Sequence, residues 1–504
     1  MRLPFPAHIP LRHLVCFAIV LFAVQLFQGT TPLFAVCCFL FLVIAGIAFN
    51  LAGGFSRPSG AYVFFYAVLG VIVGLCWKAV LGEPADSNLV APLQTMKVYV
   101  GGITAMLIAV FFSTKLTLRR PLLGSLVTDA NLQNATVGCL VTGLVVTAAL
   151  TFLSRENGGF LSALAQINRF LPMAMILGVI HQIRRSGGRS SMGLPVLISG
   201  ASILALGLLG FSKEGIFTPV ACWLVAAGSQ GYRMSRLQVA SVVLVIFLMV
   251  RYFVPYSQFG KNVTVDTVSG RAKVSLELLG NLEDVRNKYT LMAQDDYSNR
   301  IQGYFNTPQG FGDRLQMISV DDSLVDLTDK KGTFGLSPVT MGFANLLPRF
   351  IWPNKPSLNF GNLYAHETGG LADDDVTTGI SFSPTGEAYH MARWLGIFLI
   401  APLLWIMLFT VFDSLCGDTR TSPWGLLMIA FFAHIAPEGM LSGIIYALGY
   451  MSFGLIVAAL SATYLMPIFG TLAKGPEQVT VRRIAPIRSI PRRNRPAPSQ
   501  SIGQ

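Results

Sequence analysis

Long apolar runs recur along almost the whole chain and leave it few ways to fold. A helix needs about 20 consecutive apolar residues to cross a bilayer, and such runs follow one another up to Val254 and resume at Met391. They are rich in Leu, Val, Ile, Phe, Ala and Gly and lack the alternation of a half-buried strand. Helices are therefore expected, not a barrel. With 53% hydrophobic and 12% charged residues among 504, the chain falls outside the range of soluble domains. The fold class expected is an all-α polytopic membrane protein with one large extracytoplasmic loop before the last three spans.

About twelve spans are expected from the run lengths. They lie near Leu14–Gln28, Pro32–Asn50, Ala61–Leu81, Val98–Ser113, Leu132–Leu153 and Leu161–His181, then near Leu194–Phe211, Ile216–Ser229, Gln238–Val254, Met391–Phe412, Trp424–Ile435 and Leu441–Phe469. The first run lacks a small-residue cleavage site and is followed at once by the next, as in an uncleaved anchor. Residues 1–255 thus carry spans one to nine, 256–390 the large loop, 391–470 the last three spans, and 471–504 a basic, proline-rich tail expected to be disordered.

Lysine and arginine placement orients the spans. Arg2, Arg12, Arg57, Lys115, Arg119, Arg120, Arg184, Arg185, Arg189, Arg233, Arg236 and the basic tail fall on one side; the opposite connections hold Gln28–Thr31, Glu83 with Asp86, Arg155 with Glu156, and Ser212–Gly215. Both termini are therefore expected in the cytoplasm and the loop outside. Much of the net charge of +12 sits in the tail, which suits anionic headgroups. Without aromatic interleaving, nucleic acid is not the expected partner. The seven cysteines avoid the loop and lack metal-ligand spacing with histidine, so neither a disulfide framework nor a metal site is expected.

Within the loop, Val274, Leu278, Leu282, Val285 and Tyr289 recur at three- and four-residue steps, which predicts one amphipathic helix. A second short helix is expected over Arg314–Leu327. The apolar run Val339–Leu347 is too short to span and reads as interfacial or re-entrant. Asp295–Asp296, Asp321–Asp322 and Asp373–Asp375 read as solvated loop acids, with a divalent cation or hydrogen bonding to sugar hydroxyls as the alternatives. The densest motif is Pro348-Arg349-Phe350-Ile351-Trp352-Pro353-Asn354-Lys355-Pro356. Its prolines impose a non-helical backbone, Trp352 suits the headgroup layer, and Arg349 and Lys355 suit a phosphate at that depth. Snorkelling of the two cations to lipid phosphates is the plainer reading.

That motif resembles the PR-x-x-W-P-x-K-P segment of Wzy-type O-antigen and oligosaccharide repeat-unit polymerases. Gly386-Glu387-Ala388-Tyr389 is similar to their G-E-x-Y stretch, ahead of Trp394-Leu395-Gly396. Gly210-Phe211-Ser212-Lys213-Glu214-Gly215 resembles their outer turn G-S-R-G, with Lys213 in place of arginine and Glu214 inserted. The resemblance implies a bacterial inner-membrane glycosyltransferase. It would join lipid-linked oligosaccharide repeats on undecaprenyl pyrophosphate into a surface polysaccharide (O-antigen, capsule or exopolysaccharide), without a cofactor, beside a chain-length regulator and a flippase. Under it, Lys213, Arg349, Lys355, Arg393 and Arg169 would bind pyrophosphate, with Arg349 also catalytic, and Glu387 would be the general base. His366 or His390 would act as the outer-face histidine of the related ligases does, or would be an ordinary hydrogen-bonding residue. Arg169, read as mid-span with Asn168 and Gln166, marks a polar inner cavity. Glu438 with His434 is placed to pair towards it, and Lys78 reads as a snorkelling residue. A ligase and a flippase for the same lipid-linked glycan remain the competing functions; the loop and the lack of an internal repeat weigh against transport.

Overall fold

In a computed structural model of the protein, the described residues are 1–124, 129–152, 164–165, 168–261, 268–299, 303–349, 351–352, 354–356, 358–376 and 378–474. Among them every regular element is helical, apart from an isolated bridge between Arg2 and Arg233. The first nine helices are α1 (Leu11–Phe27), α2 (Pro32–Leu51), α3 (Pro58–Leu81), α4 (Pro92–Leu116), α5 (Asp129–Phe152), α6 (Phe170–Arg185), α7 (Leu194–Leu209), α8 (Lys213–Ser229) and α9 (Arg236–Gly260). The loop supplies α10 (Val268–Gly280), α11 (Leu282–Asn299), α12 (Ile318–Lys331), α13 (Ser337–Asn345) and α14 (Phe360–Glu367). The chain closes with α15 (Pro384–Cys416), α16 (Trp424–Glu438) and α17 (Met440–Leu472). Among the described residues, seven helices, namely α2, α3, α4, α9, α15, α17 and the Asn131–Thr151 part of α5, are long and apolar enough to cross a membrane. The protein is a helical, membrane-embedded one.

The helices pack as a bundle in which α4 lies against α2 and α15, α16 against α3 and α8, and α5 against α6 and α17. Glycines allow the closest approaches: a Cβ on Gly207 of α7 would stand 2.5 Å from the Gly215 carbonyl carbon of α8. Large apolar side chains face outward where lipid would meet them; Val243, Leu244 and Phe247 of α9 are more than half exposed.

Hydrogen bonds sort the connections between the two ends of the bundle. At one end the N-terminal segment meets the α8–α9 turn (Met1 amino group to the Met234 carbonyl, 2.8 Å) and Arg420 (to the Phe5 carbonyl, 3.3 Å). The α15–α16 turn there joins the α2–α3 turn (Thr419 N–H to the Ser56 carbonyl, 3.0 Å). Leu122 and Leu123, after α4, donate to Ser414 and Leu415. At the other end the Gln28 amide donates to the Ala79 carbonyl, Thr31 donates to Asp86, and the α3–α4 connection carries the loop. The arginine-rich turns and the loop therefore occupy opposite ends, as the charge pattern requires.

Several expectations are corrected. The helix expected from Val274 to Tyr289 is two, broken at Asn281, whose N–H turns back to Leu278. The helix expected over Arg314–Leu327 is shifted to Ile318–Lys331, and the run after Gly335 forms α13, packed on α17. Lys78 does not snorkel: it is fully buried, with Glu83 at 2.9 Å and the Ser87 hydroxyl at 2.6 Å. Pairing compensates a charge that burial alone would make costly. Gln166, Arg155, Glu156 and the tail from Gly475 lie outside the described residues, and Asp295 and Asp296 fall within α11.

Asp321 and Asp322 are the largest departure, for both are buried. Asp321 accepts from the Tyr99 hydroxyl (2.6 Å), from the Ser383 N–H (3.0 Å) and from the Ser383 hydroxyl. Asp322 accepts from the N–H groups of Val90 (2.5 Å) and Ala91 (3.1 Å) and from the Thr95 hydroxyl (2.8 Å). The pair bolts α12 to the start of α4 and to the N-terminus of α15. Burial pushes the Asp321 carboxyl up to about 6 and raises that of Asp322.

Candidate functional site

Three short-range signals shape the loop end. Ser212 caps α8 by accepting from the Gly215 N–H (3.2 Å), Asn359 caps α14 from Asn362 (3.2 Å), and Ser383 caps α15 from Gly386 (3.0 Å). Small polar side chains at these positions satisfy helix-terminal donors that would otherwise be orphaned. They fix where α8 begins with Lys213 and Glu214, and where α15 presents Glu387 and His390.

A cavity of about 570 Å3 opens at this end, between the start of α6, the start of α8, α13, the end of α16 and the first turns of α17. Arg169, Glu214, Asn345, His434, Ser442 and Tyr446 are among its lining residues. Arg169 does not sit in mid-span as its sequence setting suggested. It immediately precedes α6, which starts at Phe170. Its guanidinium lies over the Phe431 ring, 4.6 Å from the centroid, and donates to the Tyr446 hydroxyl at the long distance of 3.5 Å. An aromatic face and a phenol hold the cation while one side remains on the cavity. On α16, His434 Nδ1 and Glu438 Oε1 are 2.6 Å apart, at the i, i+4 spacing that brings two side chains together on one helix face.

Lys355 reaches the outside of the same wall. Its ammonium donates to the carbonyls of Asn345 (3.2 Å) and Leu347 (2.9 Å), so the Trp-Pro motif is tied to α13, whose Asn345 lines the cavity. Desolvation and the neighbouring Arg349 guanidinium hold Lys355 below the usual lysine range. Arg349 is exposed. Lys213 is half-buried at the first position of α8, next to Glu214 on the cavity. Phe350 and Pro353 of the motif lie outside the described residues.

Of the sequence-predicted site residues, Arg169 lines the cavity, Lys213, Arg349 and Lys355 do not line it, and four more lie elsewhere. Glu387 is fully buried. Its Oε2 accepts from the Leu441 N–H (2.6 Å) and its Oε1 from the Tyr364 hydroxyl (3.3 Å). Behind the wall, it ties the start of α17, which supplies Ser442 and Tyr446, to α14 in the loop. His390 is buried too, with Nδ1 2.9 Å from the Thr328 hydroxyl, stacked on Phe334 and edge-on to Tyr364. His366 is half-buried in the last turn of α14, and its Nδ1 has no hydrogen-bond partner among the described residues. Arg393 stands at a kink in α15 with φ +50°, donating to the Thr328 carbonyl (3.3 Å). Burial sets Glu387 away from the cavity, with both carboxylate oxygens engaged by α17 and α14.

Sequence reasoning named Arg169 and the His434–Glu438 pair but passed over Tyr446 and treated Glu214 only as an insertion. An apolar helix offers no signal that one of its tyrosines will face a cavity. Comparison with protein-family models, with curated proteins and with solved structures finds no match to this chain.

Proposed function

We propose that the protein joins undecaprenyl-pyrophosphate-linked oligosaccharide repeats into a surface polysaccharide at the outer face of a bacterial inner membrane. In this reading the chain crosses the membrane twelve times, once with each of α1–α9 and α15–α17, and both termini are cytoplasmic. The observation that carries it is the cavity itself. At the loop end of a membrane bundle it sets Arg169 against Glu214 and the His434–Glu438 pair, with Lys355 and Arg349 just outside. A cation and bases beside lipid are what a glycosyl transfer from a lipid pyrophosphate needs.

An acceptor sugar hydroxyl attacks the donor's anomeric carbon, and the bond from that carbon to the pyrophosphate oxygen breaks. Arg169 neutralises the departing pyrophosphate, with Lys213, Arg349 and Lys355 binding it as it enters or leaves. The hydroxyl proton passes to Glu214 or to His434, whose imidazole Glu438 orients. Glu387 keeps α17 in register with the loop.

Purified protein in lipid nanodiscs, given a synthetic undecaprenyl-pyrophosphate-linked repeat, should produce a ladder of longer glycans, and Arg169→Ala should remove it. Movement of the same lipid across vesicles without any ladder would replace the proposal with transport. In cells, loss of the gene should leave single repeats on the final acceptor; full-length polymer retained on the carrier lipid would mean a ligase instead.

A further inference from the structure

A second cavity, of about 430 Å3, lies on the loop side of the bundle between α12, the end of α14 and the Asn88–Val90 connection. Its volume falls in the range of about 300–1,000 Å3 common to small-molecule sites. We propose that it binds a neutral saccharide, at a place separate from the Arg169 cavity.

The chemistry of the lining selects that class. Ser323 and Thr368 each spend their hydroxyl proton on a backbone carbonyl (Val320 at 2.7 Å, Tyr364 at 2.9 Å), leaving oxygen lone pairs to accept from a ligand. Asp326 and Glu367 add carboxylate acceptors, and Lys330 and Lys331 add ammonium donors. Asp326 holds Lys330 at 2.7 Å. With Asp322, whose carboxylate is engaged by Val90, Ala91 and Thr95, the lining sets three acids against two lysines. Such a lining gives no excess cation for a phosphate. Among the described residues no group of three or more acid, histidine or cysteine side chains could hold a metal ion. Dense acceptors with a few donors match a polyol, and Leu89, Val90 and Leu327 offer an apolar surface to the C–H face of a sugar ring.

Behind the rim, His390 is 2% exposed, and its Nε2, without a hydrogen-bond partner among the described residues, stands 3.7 Å from Glu367 Oε2, beyond hydrogen-bond distance. That the saccharide is the glycan of a lipid-linked substrate rests on the function proposed above; saccharide binding itself does not.

The test is saturation-transfer NMR on the full chain in detergent, with the methyl glycosides of glucose, galactose, mannose and N-acetylglucosamine as probes. At least one should bind the wild-type protein. Asp326→Asn and Glu367→Gln, which keep size and shape, should each weaken it by about tenfold, the effect of losing one charge-assisted hydrogen bond. Ser323→Trp should block it, and Arg169→Ala should leave it unchanged. Absence of binding to the wild-type protein, or equal binding by both conservative variants, overturns the site. Titration of the same protein with inorganic pyrophosphate reads the other cavity. Glycoside binding without pyrophosphate binding would sink the lipid-pyrophosphate reading and leave the saccharide site standing.

Discussion

Asp321–Asp322 and Arg169 are both polar groups set into an apolar molecule, yet their surroundings differ. Around the two acids, N–H and O–H donors from α4, its preceding connection and the cap of α15 converge on the carboxylates. Among the described residues, Arg169 meets a phenol at the long distance of 3.5 Å and an aromatic face, and it lines a cavity shared with Glu214 and His434. A buried group whose hydrogen bonds are met within the protein holds shape. A charge left partly unmet on a cavity is available to a ligand. The difference supports architecture for the first and, under the function proposed, binding for the second.

The largest effect expected from that contrast is on stability. Asp321→Ala should cost about 4 kcal/mol, because it strands the Tyr99 and Ser383 donors in a dry site. Thermal unfolding in detergent measures it, and a cost near zero would break the comparison. Next in size, Arg169→Ala should reduce glycan elongation by about 100-fold, the scale of a lost charge-stabilising donor, while the unfolding temperature moves little. A large fall in that temperature would make Arg169 architectural as well.

Arg349→Ala should shorten the ladder with a loss of about tenfold, as befits an exposed cation that guides an anion; normal polymer length would remove it from the path. Glu387 sharpens the contrast further. Glutamine retains an oxygen for the Leu441 N–H, so Glu387→Gln should keep about tenfold more activity than Glu387→Ala. Equal damage from the two substitutions would restore Glu387 as the base.

The last effect is a pH dependence. Asp321 titrates near 6 in the folded protein and near 3.9 when unfolded, so the folded state binds the proton more tightly. Stability from this group is therefore highest below about pH 4, falls as pH rises towards 6, and is flat above that. Asp321→Asn should remove this slope from the pH profile of the unfolding temperature. An unchanged profile would assign it to another group.

The helical runs and the sorting of basic turns to one end were legible in the chain, because hydrophobicity and charge act locally and add up along it. The His434–Glu438 pair was legible too, since i, i+4 spacing lies within one helix. Asp321 and Asp322 were not. Their donors are more than 60 residues away at Ser383 and more than 220 away at Tyr99 and Thr95, and two adjacent acids in a polar stretch look like solvent-facing residues. Glu387 was found by its motif, but its burial was not, because the motif carries no measure of depth.

By itself, then, the sequence determined a membrane-embedded helical bundle with a polar loop at the end opposite its arginines, since each run must bury or face lipid wherever it lies. Only the tertiary structure decided which polar residues are spent holding the loop down and which line a cavity. That choice depends on whether hydrogen-bond partners remote in the chain arrive within about 3 Å.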